Sequence, residues 1–104
     1  MGLLKKKIED NATSEAFKKL EFISVNDQKE VLKLADKIMY GIPICLNFEG
    51  CIIATANEMI SFLAGVIYAC DGEIVTLRKD IFLFAQKSDI KDGSLKKFID
   101  QYQG

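Results

Sequence analysis

Cys45, Cys51 and Cys70 are the most reactive side chains in this sequence, and what they can do depends on their surroundings. A thiol becomes a nucleophile or a metal ligand only when a base, a positive field or a metal holds it deprotonated. The 104-residue chain contains no histidine, so neither a Cys–His nor a Ser–His pair can be built. The spacing of the cysteines fits no zinc ribbon. All three stand inside apolar runs, where cysteine acts as a small hydrophobic side chain. An odd number of thiols without evident pairing suits a reducing, cytoplasmic compartment. Asp and Glu number 15 against 14 Lys and Arg. Most of these carboxylates sit beside lysines, as on a solvated surface, rather than converging as an acid–base pair. Gly41, Gly50, Gly65 and Gly72 are isolated from one another, so no phosphate-cradling loop is present. The expectation is a protein that binds rather than catalyses, with no cofactor and no metal.

The elements that must position a binding surface are legible in the hydrophobic pattern. Length places the chain as one domain. A formal charge of −1 gives no basic field for nucleic acid, and the strands lack interleaved basic and aromatic residues. Residues 20–25 (LEFISV) alternate as a half-buried strand does. Asn26 or Asp27 can cap the helix that follows, with Glu30 placed to answer, and Val31, Leu34, Ala35 and Ile38 recur at helical spacing. Gly41 is suited to the left-handed position that ends such a helix. Residues 42–48 (IPICLNF) read as a strand opening at Pro43, and residues 52–69 as a long second helix. Asp71-Gly72 turns into a strand at 73–78, and Lys79-Asp80 reverses it into a partner at 81–86. A short terminal helix carries Leu95, Phe98, Ile99 and Tyr102. The order β-α-β-α-β-β predicts an α/β (α+β) sandwich, with two main helices on one face of a small mixed sheet.

The long helix is more apolar than a core-facing stripe requires. Ile52, Ala56, Met59, Ile60, Leu63, Val66 and Ile67 make that stripe at steps of three and four. Elsewhere on its surface Ser61, Gly65 and Ala69 follow at four-residue steps, flanked by Phe62 and Tyr68. Glycine inside a helix costs about 1 kcal/mol relative to alanine. Small residues stacked this way let a second helix backbone approach closely. Gly65 with Ser61, Phe62 and Ala69 is therefore expected at a contact between subunits. The alternative is that the terminal helix of the same chain covers the glycine.

The pieces "NFEG", "ISFLAGVIYACDGEI" and "IFLF", in this order over residues 20–86, closely resemble the bacterial cell-division family SepF. The resemblance implies a small sandwich that dimerises and assembles further. It also implies binding to the C-terminal tail of the tubulin-like protein FtsZ, at the division site on the cytoplasmic face of the membrane. Carried over by position, the family's helix glycine falls on Gly65. Its tail-binding region, the same helix with the hairpin, falls on Phe82 and Thr76, with Leu77, Leu63 and Phe84 as weaker additions. Family members carry an N-terminal membrane helix, then a long acidic linker. Here residues 1–19 form a basic, amphipathic first segment before a core at 20–104. Leu3, Leu4 and Ile8 share one helical side and Lys5, Lys6 and Lys7 are basic, so peripheral contact with lipid is expected there, with the core held close to the bilayer. Each lysine near an anionic surface contributes about 1 kcal/mol, so single copies bind marginally and oligomers bind well. A second reading is a ferredoxin-like regulatory or small-molecule-binding domain. It would need polar groups converging at strand ends, where the sequence offers Asn47, Glu49 and Gly50.

Overall fold

A strand as continuously apolar as residues 42–48 has to be covered on both faces. The computed structural model, which describes residues 15–103, provides that cover with three layers. In chain order the elements are α1 (Glu15–Lys19), β1 (Glu21–Ser24), a 3₁₀ turn (Gln28–Glu30), α2 (Val31–Met39), β2 (Ile44–Asn47), α3 (Ile53–Ala69), β3 (Gly72–Arg78), β4 (Ile81–Gln86), α4 (Lys87–Lys91) and α5 (Lys96–Gln103). The sheet runs β1-β2-β4-β3. β1 and β2 are parallel, with Glu21 opposite Ile44, and α2 crosses between them. β4 lies antiparallel to both β2 and β3, so α3 carries the chain over an intervening strand.

Strand alternation sorts the core into two clusters. Ile44, Leu46 and Phe84 face α2 and α3, where they meet Leu34, Ile38, Met59, Leu63 and Ile67. Cys45, Leu83 and Ala85 face the other way, onto Ala16 of α1, Phe98 of α5 and Leu95 just ahead of α5. The expected pair of helices does cover one face, and α1, α4 and α5 cover the other. Burial pushes the Cys45 thiol up from 9.0 to about 11, because nothing in that apolar layer solvates a thiolate.

Local chemistry sets the boundaries. Asp27 caps the 3₁₀ turn by accepting from the Lys29 amide at 2.8 Å, and Glu30 accepts from the Asn26 amide at 3.4 Å. Gly41 takes the left-handed conformation at φ 79°. Its amide donates to the Ile38 carbonyl and that of Ile42 to the Lys37 carbonyl, which closes α2 in a Schellman motif. The Asp71-Gly72 turn divides its duties differently from what an Asp-Gly pair suggests. Asp71 holds the positive φ of 58°, a conformation Asp tolerates through its short polar side chain. Gly72 is there for space. A Cβ at that position would lie 2.5 Å from Ile67 Cδ1 and 2.7 Å from the Ala85 carbonyl oxygen.

Two outcomes test this packing. Gly72→Ala should lower stability by roughly 2–3 kcal/mol, because the obstruction includes backbone; urea unfolding reads it, and an unchanged midpoint would show that α3 moves aside freely. At pH 8 a thiol reagent should modify half-buried Cys51 and Cys70 while leaving buried Cys45 intact in the native state. The raised folded-state value means that Cys45 contributes stability in full below pH 9.0, lost as pH rises toward about 11. Cys45→Ala should remove that part of the alkaline loss, as thermal unfolding across this range will register.

Candidate self-association and peptide-binding surface

At about 100° per residue, the seventeen residues of α3 present distinct faces. Ala56, Met59, Leu63 and Ile67 point into the core. One flank, with Glu58 and Phe62, faces α2 across a groove of about 360 Å³ that Gln28, Val31 and Met59 also line. Gln28 Nε2 donates to Glu58 Oε1 at 2.7 Å across that groove. The opposite flank, with Ile53, Ile60, Ala64 and Tyr68, overlooks the edge strand β3. The back of the helix carries Ser61, Gly65 and Ala69, all exposed. A Cβ on Gly65 would meet no atom within 4 Å. The terminal helix does not cover this glycine, because α5 packs on the far side of the sheet.

Large apolar side chains border this small-residue strip. Tyr68 is 80% exposed, Ile53 77% and Phe62 47%. Leu32 and Met39, also exposed, sit on α2 at steps of three and four through Ala35. Lys37 bridges to Glu21 of β1 at 2.8 Å, so the flank of α2 bearing Leu32 and Met39 is the one turned toward α3. Sequence reading did not single out these two residues. Their signal was present: an apolar pair off the Leu34–Ile38 stripe of an otherwise amphipathic helix.

The five residues assigned to tail binding separate into two groups. Thr76 and Phe82 are opposite one another in the β3–β4 register and lie on the face that carries α3. Thr76 is exposed and Phe82 half-buried, its ring meeting Phe48 edge-to-face at 6.0 Å. Beside them Ile60 and Ile74 are also partly buried, so a strip of half-buried apolar side chains runs between α3 and β3. Leu63, Phe84 and Leu77 correct the expectation. The first two are 0% exposed at the centre of the core, and Leu77 is buried on the opposite face of the sheet, so none offers surface to a peptide. Strand alternation turns Leu77, with Val75, into the second core, and the register shifts between Thr76 and Arg78. Arg78, at the end of β3, has its guanidinium 5.6 Å from the centre of the Tyr102 ring.

The strand-end groups satisfy one another. Asn47 Oδ1 accepts from the Glu49 amide at 2.9 Å, and Asn47 Nδ2 donates to Glu49 Oε1 at 3.2 Å. Among the described residues no group of three Cys, Asp or Glu is placed to hold a metal. No helix among them is long and apolar enough to cross a membrane. Leu3, Leu4, Lys5, Lys6, Lys7 and Ile8 lie outside the described residues. Away from this strip, burial and then the nearby Asp92 charge push the Asp89 carboxyl up, with Lys19 opposing.

Gly65→Ala should raise the stability of the isolated subunit by about 0.5–1 kcal/mol, since it removes a helix-interior glycine where a methyl group meets nothing. Chemical unfolding at low protein concentration measures this, and a loss of stability would show that the back of α3 is covered within the chain.

The family model described as "Cell division protein SepF" matches residues 21–101. Proteins of that name show similarity over most of this chain. The one from Natranaerobius thermophilus is 27% identical over 81% of this chain and 50% of its own length. The one from Carboxydothermus hydrogenoformans is 31% identical over 69% of this chain and 53% of its own. That from Ruminiclostridium cellulolyticum is 35% identical over 61% and 40% respectively. The chain thus spans about half the length of the curated relatives it matches.

Proposed function

Because the chain belongs to the SepF family of cell division proteins, we propose that it is a non-enzymatic adaptor that self-associates, holds the C-terminal tail of FtsZ and helps tether the division ring to the cytoplasmic membrane. The observation that carries the reading is Gly65. A glycine kept in mid-helix, exposed, with open space where its side chain would go, has no role inside the subunit. A second helix backbone against Ser61, Gly65 and Ala69 gives it one, with Phe62 and Tyr68 closing over the seam. A two-fold contact of this kind places two α3–β3 strips in one assembly, where tails bind with the benefit of effective concentration. Each strip offers half-buried Phe82 beside exposed Thr76. An extended or helical tail with a few apolar anchors fits that arrangement. Contact with lipid falls to Leu3, Leu4, Ile8 and the lysines between them.

Gly65→Lys should leave the fold intact and shift sedimentation to the subunit mass; retention of the larger species would remove the helix seam from the assembly. A fluorescent peptide copying the FtsZ tail should bind saturably, and Phe82→Ala should abolish that binding. Thr76→Lys, at an exposed position, should tighten it by roughly two- to fivefold at low salt. Binding that ignores both substitutions would move the site elsewhere. No binding at all by a well-folded protein would leave the resemblance as one of fold.

A further inference from the structure

In an antiparallel pair, successive residues of a strand aim their backbone groups alternately at the partner strand and away from it. The Lys87 amide donates to the Asp71 carbonyl at 3.1 Å, so Asp71, just ahead of β3, bonds toward β4. The Phe48 amide donates to the Asp80 carbonyl at 2.8 Å, which commits Phe82 and Phe84 to β2 and leaves Leu83 and Ala85 for β3. Both bonds give the same phase. Glu73 and Val75, opposite Ala85 and Leu83, spend their N–H and C=O groups on β4. Ile74 and Thr76 aim theirs outward, because β3 is an edge of the four-stranded sheet. One of these outward groups is taken. Gln103 Nε2, from the last turn of α5, donates to the Thr76 carbonyl at 2.8 Å. A side-chain amide thus stands where the backbone N–H of a further strand would stand. The register shift between Thr76 and Arg78 ends the row just beyond it.

We propose that the outer edge of β3 takes the tail peptide as a fifth strand, and that Gln103 is the gate the peptide displaces. The inference rests on the tail binding proposed above and names its geometry, an extended backbone rather than a helix. Backbone bonds to Ile74 and Thr76 hold an extended peptide, and its alternate side chains supply specificity. Neighbouring strands lie about 4.8 Å apart. A large apolar side chain set opposite Thr76 therefore leans over that short residue onto the half-buried Phe82, one strand further in. Ile74, on the same face, meets the next one along. Gln103 is exposed, so its amide can swing into water while Leu95 and Phe98 stay buried. The tail then exchanges one amide donor for another at the Thr76 carbonyl. A helical ligand has no part in that exchange, because its amides are spent within its own turns.

With the full chain and the fluorescent tail peptide, Gln103→Ala should tighten binding by roughly two- to tenfold, the worth of one net hydrogen bond. The far-ultraviolet dichroism should not change. Methylating the peptide's backbone nitrogens one at a time should weaken binding at alternate positions only. In hydrogen exchange followed by NMR, the Glu73 and Val75 amides should be slow in the free protein, and the peptide should slow those of Ile74 and Thr76 as well. Saturable binding that is indifferent to Gln103 and loses affinity at consecutive methylated positions, or at none, would overturn strand addition and leave tail binding standing. Weaker binding by Gln103→Ala would overturn the gate by making the amide a contact for the peptide. Protection of Ile74 and Thr76 that rises with protein concentration, without peptide, would overturn the proposal by giving the edge to a second copy. No binding by any well-folded form would remove the tail-binding reading itself, and this one with it.

Discussion

The seat of the long helix depends on an atom that is not there. At the start of β3, Gly72 lets the Ile67 side chain and the Ala85 carbonyl come within 2.7 Å of where a Cβ would stand. That close approach pins the last turn of α3 to the sheet just before the chain enters its hairpin. From this fixed end the helix lies along β4 and β3, with Leu63 and Met59 sunk into the core and Gly65 facing away. A bulkier residue at 72 would lift the helix, and with it every surface proposed to touch a partner. The two glycines thus have opposite meanings: one permits packing within the subunit, the other leaves room outside it.

A small domain gains from burying both faces of its sheet, because each strand then contributes to two cores. Here the second core is built from short pieces: one turn of α1, the Leu77 bulge and an eight-residue α5. Phe22 of β1 meets Phe98 edge-to-face at 5.5 Å, and Phe98 meets Tyr102 at 5.0 Å, so aromatic contacts tie the last helix across the sheet to its first strand. The arrangement leaves α2 and α3 as the broad outward layer. The surfaces proposed for self-association and tail binding both lie on or beside α3 for that reason.

Much of this was legible in the residues. The β-α-β-α-β-β order, the hairpin at Lys79-Asp80, the cap at Asp27 and the stop at Gly41 each rest on local chemistry that tertiary structure did not override. The helix α4 at Lys87–Lys91 was not legible. Its polar, charged residues carry no apolar period, and it forms where the chain leaves β4 and Ile90 finds the second core. The candidate surface was less legible. Motif position pointed to Leu63, Leu77 and Phe84, yet strand parity sets Leu77 opposite to Thr76 and the helical period puts Leu63 in the core stripe, while the depth of Phe84 shows only once β4 lies between β2 and β3. Thr76 and Phe82 fall on an accessible face, and the other three fall inside. Leu32 and Met39 went unnoticed because single exposed apolar residues are ordinary on helices; their meaning comes from lying beside α3.

The C-terminal helix does one thing unrelated to packing. Gln103 Nε2 donates to the Thr76 carbonyl at 2.8 Å, placing a side-chain amide on the outer rim of β3 beside the bulge. An open rim of that kind is a template on which any passing strand can polymerise. Stoppering it narrows the ways in which copies of this molecule can stick. A chain proposed to gather in numbers is thereby steered away from the cross-β aggregates that crowding its strands would otherwise seed, and toward contacts made by helices.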